Sequence, residues 1–149
     1  MTNQERLEMV APCGIDCGIC ELFICKDSPE LLEYLLSKGI PKENLPCSGC
    51  RKMEGKCPII AGTCKTYRCI SEKNLDFCTD CTEFPCDKLH PSADRANVLP
   101  HNLKVFNLCK IRNLGLGDFV KTSGEVKQRY FKAKMVIGEG PQFTLPTNN

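Results

Sequence analysis

Thirteen cysteines carry nearly all of the recognisable chemistry in this 149-residue chain. Three pairs are separated by two residues: Cys17 with Cys20, Cys47 with Cys50, and Cys78 with Cys81. That spacing turns both sulfurs to one side, and two such pairs complete the four-thiolate tetrahedron common in structural zinc sites. Cys13, Cys64, Cys69 and Cys86 flank the pairs and extend the set of candidate metal ligands, while Cys25 and Cys57 lie between them. Three pairs so close together point to metal rather than to unrelated buried thiols. Loop lengths allow one site from Cys17, Cys20, Cys47 and Cys50, in which Cys13 can replace a member. A second site can draw on Cys64, Cys69, Cys78, Cys81 and Cys86. A local grouping of Cys47, Cys50, Cys57 and Cys64 fits equally well, and the spacing does not choose among these.

Zinc, two or more ions in structural sites, is the expected cofactor, and an iron–sulfur cluster is the alternative. Cys13, Cys17 and Cys20 have the spacing of radical S-adenosylmethionine enzymes, but the chain is too short for their partial barrel and lacks the glycine motif. A thiol-dependent enzyme using a non-ligand cysteine is a further alternative, with the cations around Arg68 as activators. Lys65, Arg68, Lys73 and Lys88 read either as charges balancing the sulfurs or as ordinary surface residues. Asp16 either caps a short helix at Cys17 or sits in a turn. His90, four positions after Cys86, and His101 are the two histidines, and each is more simply a surface or packing residue than a ligand. Neither belongs to a paired motif, and there is no glycine-rich phosphate loop or serine nucleophile motif. The reading therefore leans away from an enzyme and toward binding or regulation, with protein or nucleic acid as partner.

Composition narrows the setting. The N-terminal "MTNQERLEMVAP" has no signal-peptide pattern and no window approaches the roughly 18 to 20 apolar residues of a membrane span. A cytoplasmic, non-membrane location follows, where thiols stay reduced, and an odd number of cysteines suits a disulfide framework poorly. A net charge of +2 gives no strong attraction to nucleic acid or membrane, and 7% aromatic residues without Trp leave a thin core. "VKQRYFKAK" places Lys127, Arg129, Lys132 and Lys134 beside Tyr130 and Phe131, which reads as a phosphate-contacting run or, more simply, as a solvated helix face.

The elements that must position the sulfurs are helices and irregular loops. "SPELLEYLLSKG" predicts a helix with Ser28 as cap, Pro29 at its first position and Gly39 as stop. "PHNLKVFNLCKIRNLG" predicts another from Pro100 to Gly115, with Leu103, Phe106, Leu108, Cys109 and Ile111 buried. A shorter helix is expected over Glu125 to Lys134. The expected fold is a small α-rich, metal-stapled domain, with irregular cysteine-rich loops and zinc-knuckle-like turns packed on several helices. It divides into a cysteine-rich metal-binding part over 11–90 and a helical part over 91–134, a single domain over 1–134 followed by a tail over 135–149.

Taken in order, "CGIDCGIC", "CSGC", "CKTYRC" and "FCTDCTEFPCDKL" resemble the cysteine-rich family catalogued as domain of unknown function 3795. The resemblance covers roughly residues 11 to 120, and the pair followed by a Phe-Pro-Cys corner is its most specific part. It carries Cys13, Cys17, Cys20, Cys47, Cys50, Cys64, Cys69, Cys78, Cys81 and Cys86 as the matching positions. "NLKVFNLCKIRNLGLGDFV" also looks like the helix that follows in that family. Cys25, Cys57 and Cys109 fall outside the pattern. The resemblance implies zinc binding without implying a reaction.

Overall fold

The computed structural model describes residues 1–142. Six α-helices and several single 3-10 turns make up almost all of the regular structure: α1 Asn3–Glu8, α2 Glu21–Ile24, α3 Pro29–Ser37, α4 Lys65–Glu72, α5 Lys104–Leu114 and α6 Leu116–Lys132. A two-stranded antiparallel hairpin follows, β1 Lys134–Val136 and β2 Gly140–Gln142, with Met135 opposite Pro141. The α-rich part of the expected architecture is therefore what the chain adopts. The described part of the expected tail forms this hairpin, and residues 143–149 lie outside the described residues.

Local chemistry explains the helices the sequence shows. Ser28 Oγ accepts from Leu31 N at 3.3 Å and Pro29 opens α3, so the cap and the pre-set φ act together. Pro100 opens a 3-10 turn over Pro100–Leu103, which runs into α5, and Gly115 at φ 82 ends α5. Two expectations shift here. Phe106 is half exposed and Cys109 is exposed, whereas Lys104 and Asn107 join Leu108 and Ile111 on the buried side. The buried stripe thus runs through residues 104, 107, 108 and 111, and the polar side chains on it serve the site described below. The last helix is also longer than expected, because α6 starts at Leu116, immediately after Gly115, rather than at Glu125.

Three apolar clusters share the interior. Leu108, Ala11, Ile70 and Leu89 pack with Cys13 and Cys78, and Leu22 and Leu35 pack with Cys25 and Cys47. Val10, Ile111 and Phe119 form the third, under α6. Buried cysteines thus do much of the work of small apolar side chains. Among the described residues no helix is long and apolar enough to cross a membrane.

Candidate functional site

The segment from Ala11 to Cys20 is held by hydrogen bonds from three directions. Asp16 accepts from Gly18 N at 2.9 Å and so caps the 3-10 turn Cys17–Ile19, as one reading of the sequence expected. The same carboxylate takes both prongs of Arg6 from α1, at 2.8 and 2.6 Å, and Ser123 Oγ from α6 donates to it at 2.6 Å. Lys127 of α6 donates to the Ile19 carbonyl at 2.8 Å and to Glu21 Oε1 at 2.6 Å. Asn107 Nδ2 donates to the Gly14 carbonyl at 2.8 Å. The second Cys-x-x-Cys loop docks through Cys47 N to the Leu22 carbonyl at 2.7 Å, and Arg51 of that loop donates to the carbonyls of Val10 and Asp76. The third hangs on Cys78 N, which donates to the Pro12 carbonyl at 2.9 Å.

These ties sort the sulfurs into two neighbourhoods. Cys13, Cys17, Cys20, Cys47 and Cys50 line one apolar cavity of about 130 Å³, joined there by Cys57 and Cys64. Lys104 and His101 lie in the same wall. Cys69, Cys78, Cys81 and Cys86 line a second space of only about 20 Å³, with Lys73, Glu83 and Lys88. Cys64, which the sequence allowed either with the second set or with Cys47, Cys50 and Cys57, lies with the latter three. Cys25 lines neither space; it is buried in the cluster with Cys47 and donates to the Leu22 carbonyl at 3.4 Å. His90 is exposed, with Nδ1 at 3.3 Å from the Pro91 carbonyl, and lines neither space.

The metal reading is overturned. Among the described residues no group of three or more His, Cys, Asp or Glu side chains is arranged to hold a metal ion. A zinc tetrahedron needs four donors at about 2.3 Å from one point. The first set of sulfurs is instead spread over the walls of a cavity, and several sulfurs have other partners. Cys47 Sγ lies 3.5 Å from Met53 Sδ and accepts from Gly49 N, while Lys73 occupies Cys81. Zinc, the iron–sulfur alternative, the structural metal sites and the metal-stapled description of the fold are all corrected by this geometry. The thirteen cysteines are free thiols.

Electrostatics agree with neutral sulfurs inside. Burial pushes the Cys17 thiol far above its ordinary value, Cys20 to about 11, and Cys50 and Cys78 to about 12. Neighbouring sulfurs add to the rise, since charge on one disfavours charge on the next. The exception in environment is Cys81. Lys73 Nζ donates to its Sγ at 3.2 Å, and Glu83 Oε2 lies 3.8 Å from that sulfur while ion-paired to Lys73. The Glu83 carboxyl is held low by this lysine. Of the cations that the sequence placed near the sulfurs, Lys73 is the one that reaches one. Arg6, Lys104 and Ser123 went unnoticed, because nothing in their spacing shows that α1, α5 and α6 converge on Asp16 and Cys13.

Residues 9–91 match the model of a family described as a protein of unknown function, DUF3795. The chain belongs to this family. The match spans more than half of the chain and contains both thiol neighbourhoods, but it ends before α5 and α6, short of the expected reach to residue 120. No curated protein and no solved structure matches the chain.

Proposed function

We propose that this DUF3795 chain is a dithiol–disulfide redox switch in which Cys81 is the reacting sulfur and Cys78 the resolving one. The observation that carries this reading is the Lys73 ammonium on Cys81 Sγ at 3.2 Å. Cys81 is part-exposed and has a lysine against it, which makes it the sulfur of this pair best placed to meet a reagent from solvent. Cys78 is buried one turn away, with Cys81 N donating to its carbonyl at 3.2 Å, so a second thiol waits behind the first.

The reaction balances with a small disulfide as oxidant. The Cys81 thiol gives up its proton and the thiolate attacks one sulfur of the disulfide, forming a mixed disulfide and expelling one thiolate. Cys78, deprotonated in turn, attacks Cys81 Sγ and expels the second. Two protein thiols become one disulfide, the small disulfide is reduced to two thiols, and both protons leave with them. The chain responds to thiol poise rather than turning over a substrate, and a reducing compartment such as the cytoplasm is where such a switch rests reduced. The basic run on α6 offers less support for a nucleic-acid role, because Lys127 is engaged with Glu21 and Arg129 with Glu125.

The test is oxidation of the reduced protein by glutathione disulfide, followed by peptide mass mapping. The expected first product is a Cys78–Cys81 disulfide. Cys78→Ser should trap glutathione on Cys81, and Cys81→Ser should leave Cys78 unmodified. A first disulfide elsewhere, or glutathione on other cysteines in Cys78→Ser, defeats the proposal.

A further inference from the structure

The larger of the two thiol-lined cavities has in its wall a lysine with no ion-pair partner among the described residues. Lys104 is only 5% exposed, yet it is in none of the ion pairs among the described residues. It lines the cavity of about 130 Å³, and no acidic side chain lines that cavity with it. Two titratable neighbours feel its charge, Cys13 and His101. Neither supplies a counter-charge. Burial raises the Cys13 thiol and so keeps it protonated, and burial together with Lys104 lowers His101 and keeps its imidazole neutral. His101 Nδ1 is itself buried without a hydrogen-bond partner among the described residues. A lysine on a nearly buried residue, set beside apolar walls and neutral thiols with no acidic partner, can gain a charge-assisted hydrogen bond from an anion that enters the cavity.

We infer that this cavity is a binding site for a small carboxylate with an apolar body, its carboxylate on Lys104 and its hydrocarbon against Ala11, Ile15 and the Cys13, Cys17 and Cys50 thiols. The size agrees, because a cavity of about 150 Å³ takes benzene, a body of about six heavy atoms. A four-carbon carboxylate has the same number. The thiols suit the hydrocarbon end, since neutral S–H groups are weak hydrogen-bonding partners and pack like small apolar groups. This site is separate from the Cys78–Cys81 pair and does not depend on its reactivity.

The reduced full-length protein is titrated with sodium butyrate, butan-1-ol and butylammonium chloride at matched pH and ionic strength. Binding is read from the amide chemical shifts of Cys13, Cys50 and Lys104. Butyrate is expected to move these amides and to bind at least about tenfold more tightly than butan-1-ol, the factor expected of one charge-assisted hydrogen bond. Butylammonium should bind most weakly. In Lys104→Met the preference for butyrate over the alcohol should vanish. Equal affinity for butyrate and butan-1-ol, butyrate shifts that avoid these amides, or a preference that survives in Lys104→Met each overturns the inference. If Lys104→Met does not fold, the ranking of the three probes on the wild-type chain decides alone.

Discussion

Cys78 and Cys81 are separated by two residues, yet their sulfurs meet opposite surroundings. Cys78 is 5% exposed and its thiol is pushed up to about 12 by burial and by nearby sulfurs. Cys81 faces outward against Lys73. If the ammonium is what makes Cys81 react, Lys73→Met should slow its exchange with a small disulfide by about tenfold at neutral pH, with Lys73→Arg restoring most of the rate. Time-resolved mass spectrometry of the mixed disulfide measures this, and an unchanged rate in Lys73→Met would show that Lys73 only packs there. A different single-residue constraint sits at Gly14, whose φ is 84 and whose missing Cβ would lie 2.9 Å from Leu108 Cγ and 3.0 Å from the Lys104 carbonyl. Gly14→Ala meets both a strained backbone and a clash with α5. A loss of about 2 kcal/mol or more in urea unfolding is expected, more than the conformational term alone gives.

At the scale of elements, α6 fixes the cysteine turn in place from outside it. Phe119 fills the cluster with Val10 and Ile111 and is fully buried, and one turn further Ser123 reaches Asp16. Phe119→Ala should cost about 3–5 kcal/mol in unfolding free energy. Asp16→Ala strands Arg6 in a part-buried site and removes the Gly18 cap, so a comparable loss is expected, while Ser123→Ala should cost only about 1 kcal/mol. Urea midpoints that rank Ser123→Ala as the most damaging of the three would contradict this picture. Much of this was out of reach of the sequence. The α3 helix was legible because its signals are local: Ser28, Pro29 and Gly39 lie within or beside its own turns. The start of α6 was not, since Gly117 and Gly124 weaken helix propensity and no side chain caps Leu116. The α4 helix hid among cysteines that read as loop. The cysteine pairs stood out by their spacing alone. They did not show whether sets of them converge on a point, because that depends on how distant loops dock against α1, α5 and α6.

The whole molecule replaces part of an ordinary aliphatic core with protonated thiols, and this makes its stability depend on alkali. Cys17, Cys20, Cys50 and Cys78 are all raised from an ordinary value of 9.0, chiefly by burial. A group whose folded value lies above its unfolded one keeps its proton longer in the native state. Below about pH 9 both states hold the proton and the full stability is present. As pH rises beyond that value the unfolded chain ionises first, so stability falls by up to about 1.4 kcal/mol per pH unit for each such thiol until its folded value is reached. His101 acts in the other direction, because burial lowers it from 6.5, and its contribution is lost as pH falls below that value. Maximal stability is therefore expected between about pH 6.5 and 9, with a steep alkaline edge. Urea unfolding under a strong reductant, from about pH 7 to about pH 10.5, measures the edge. Cys50→Ala should make it shallower by about one thiol's share. A flat profile above pH 9 would mean that these sulfurs are not buried as neutral thiols. An edge unchanged in Cys50→Ala would place its origin in other groups.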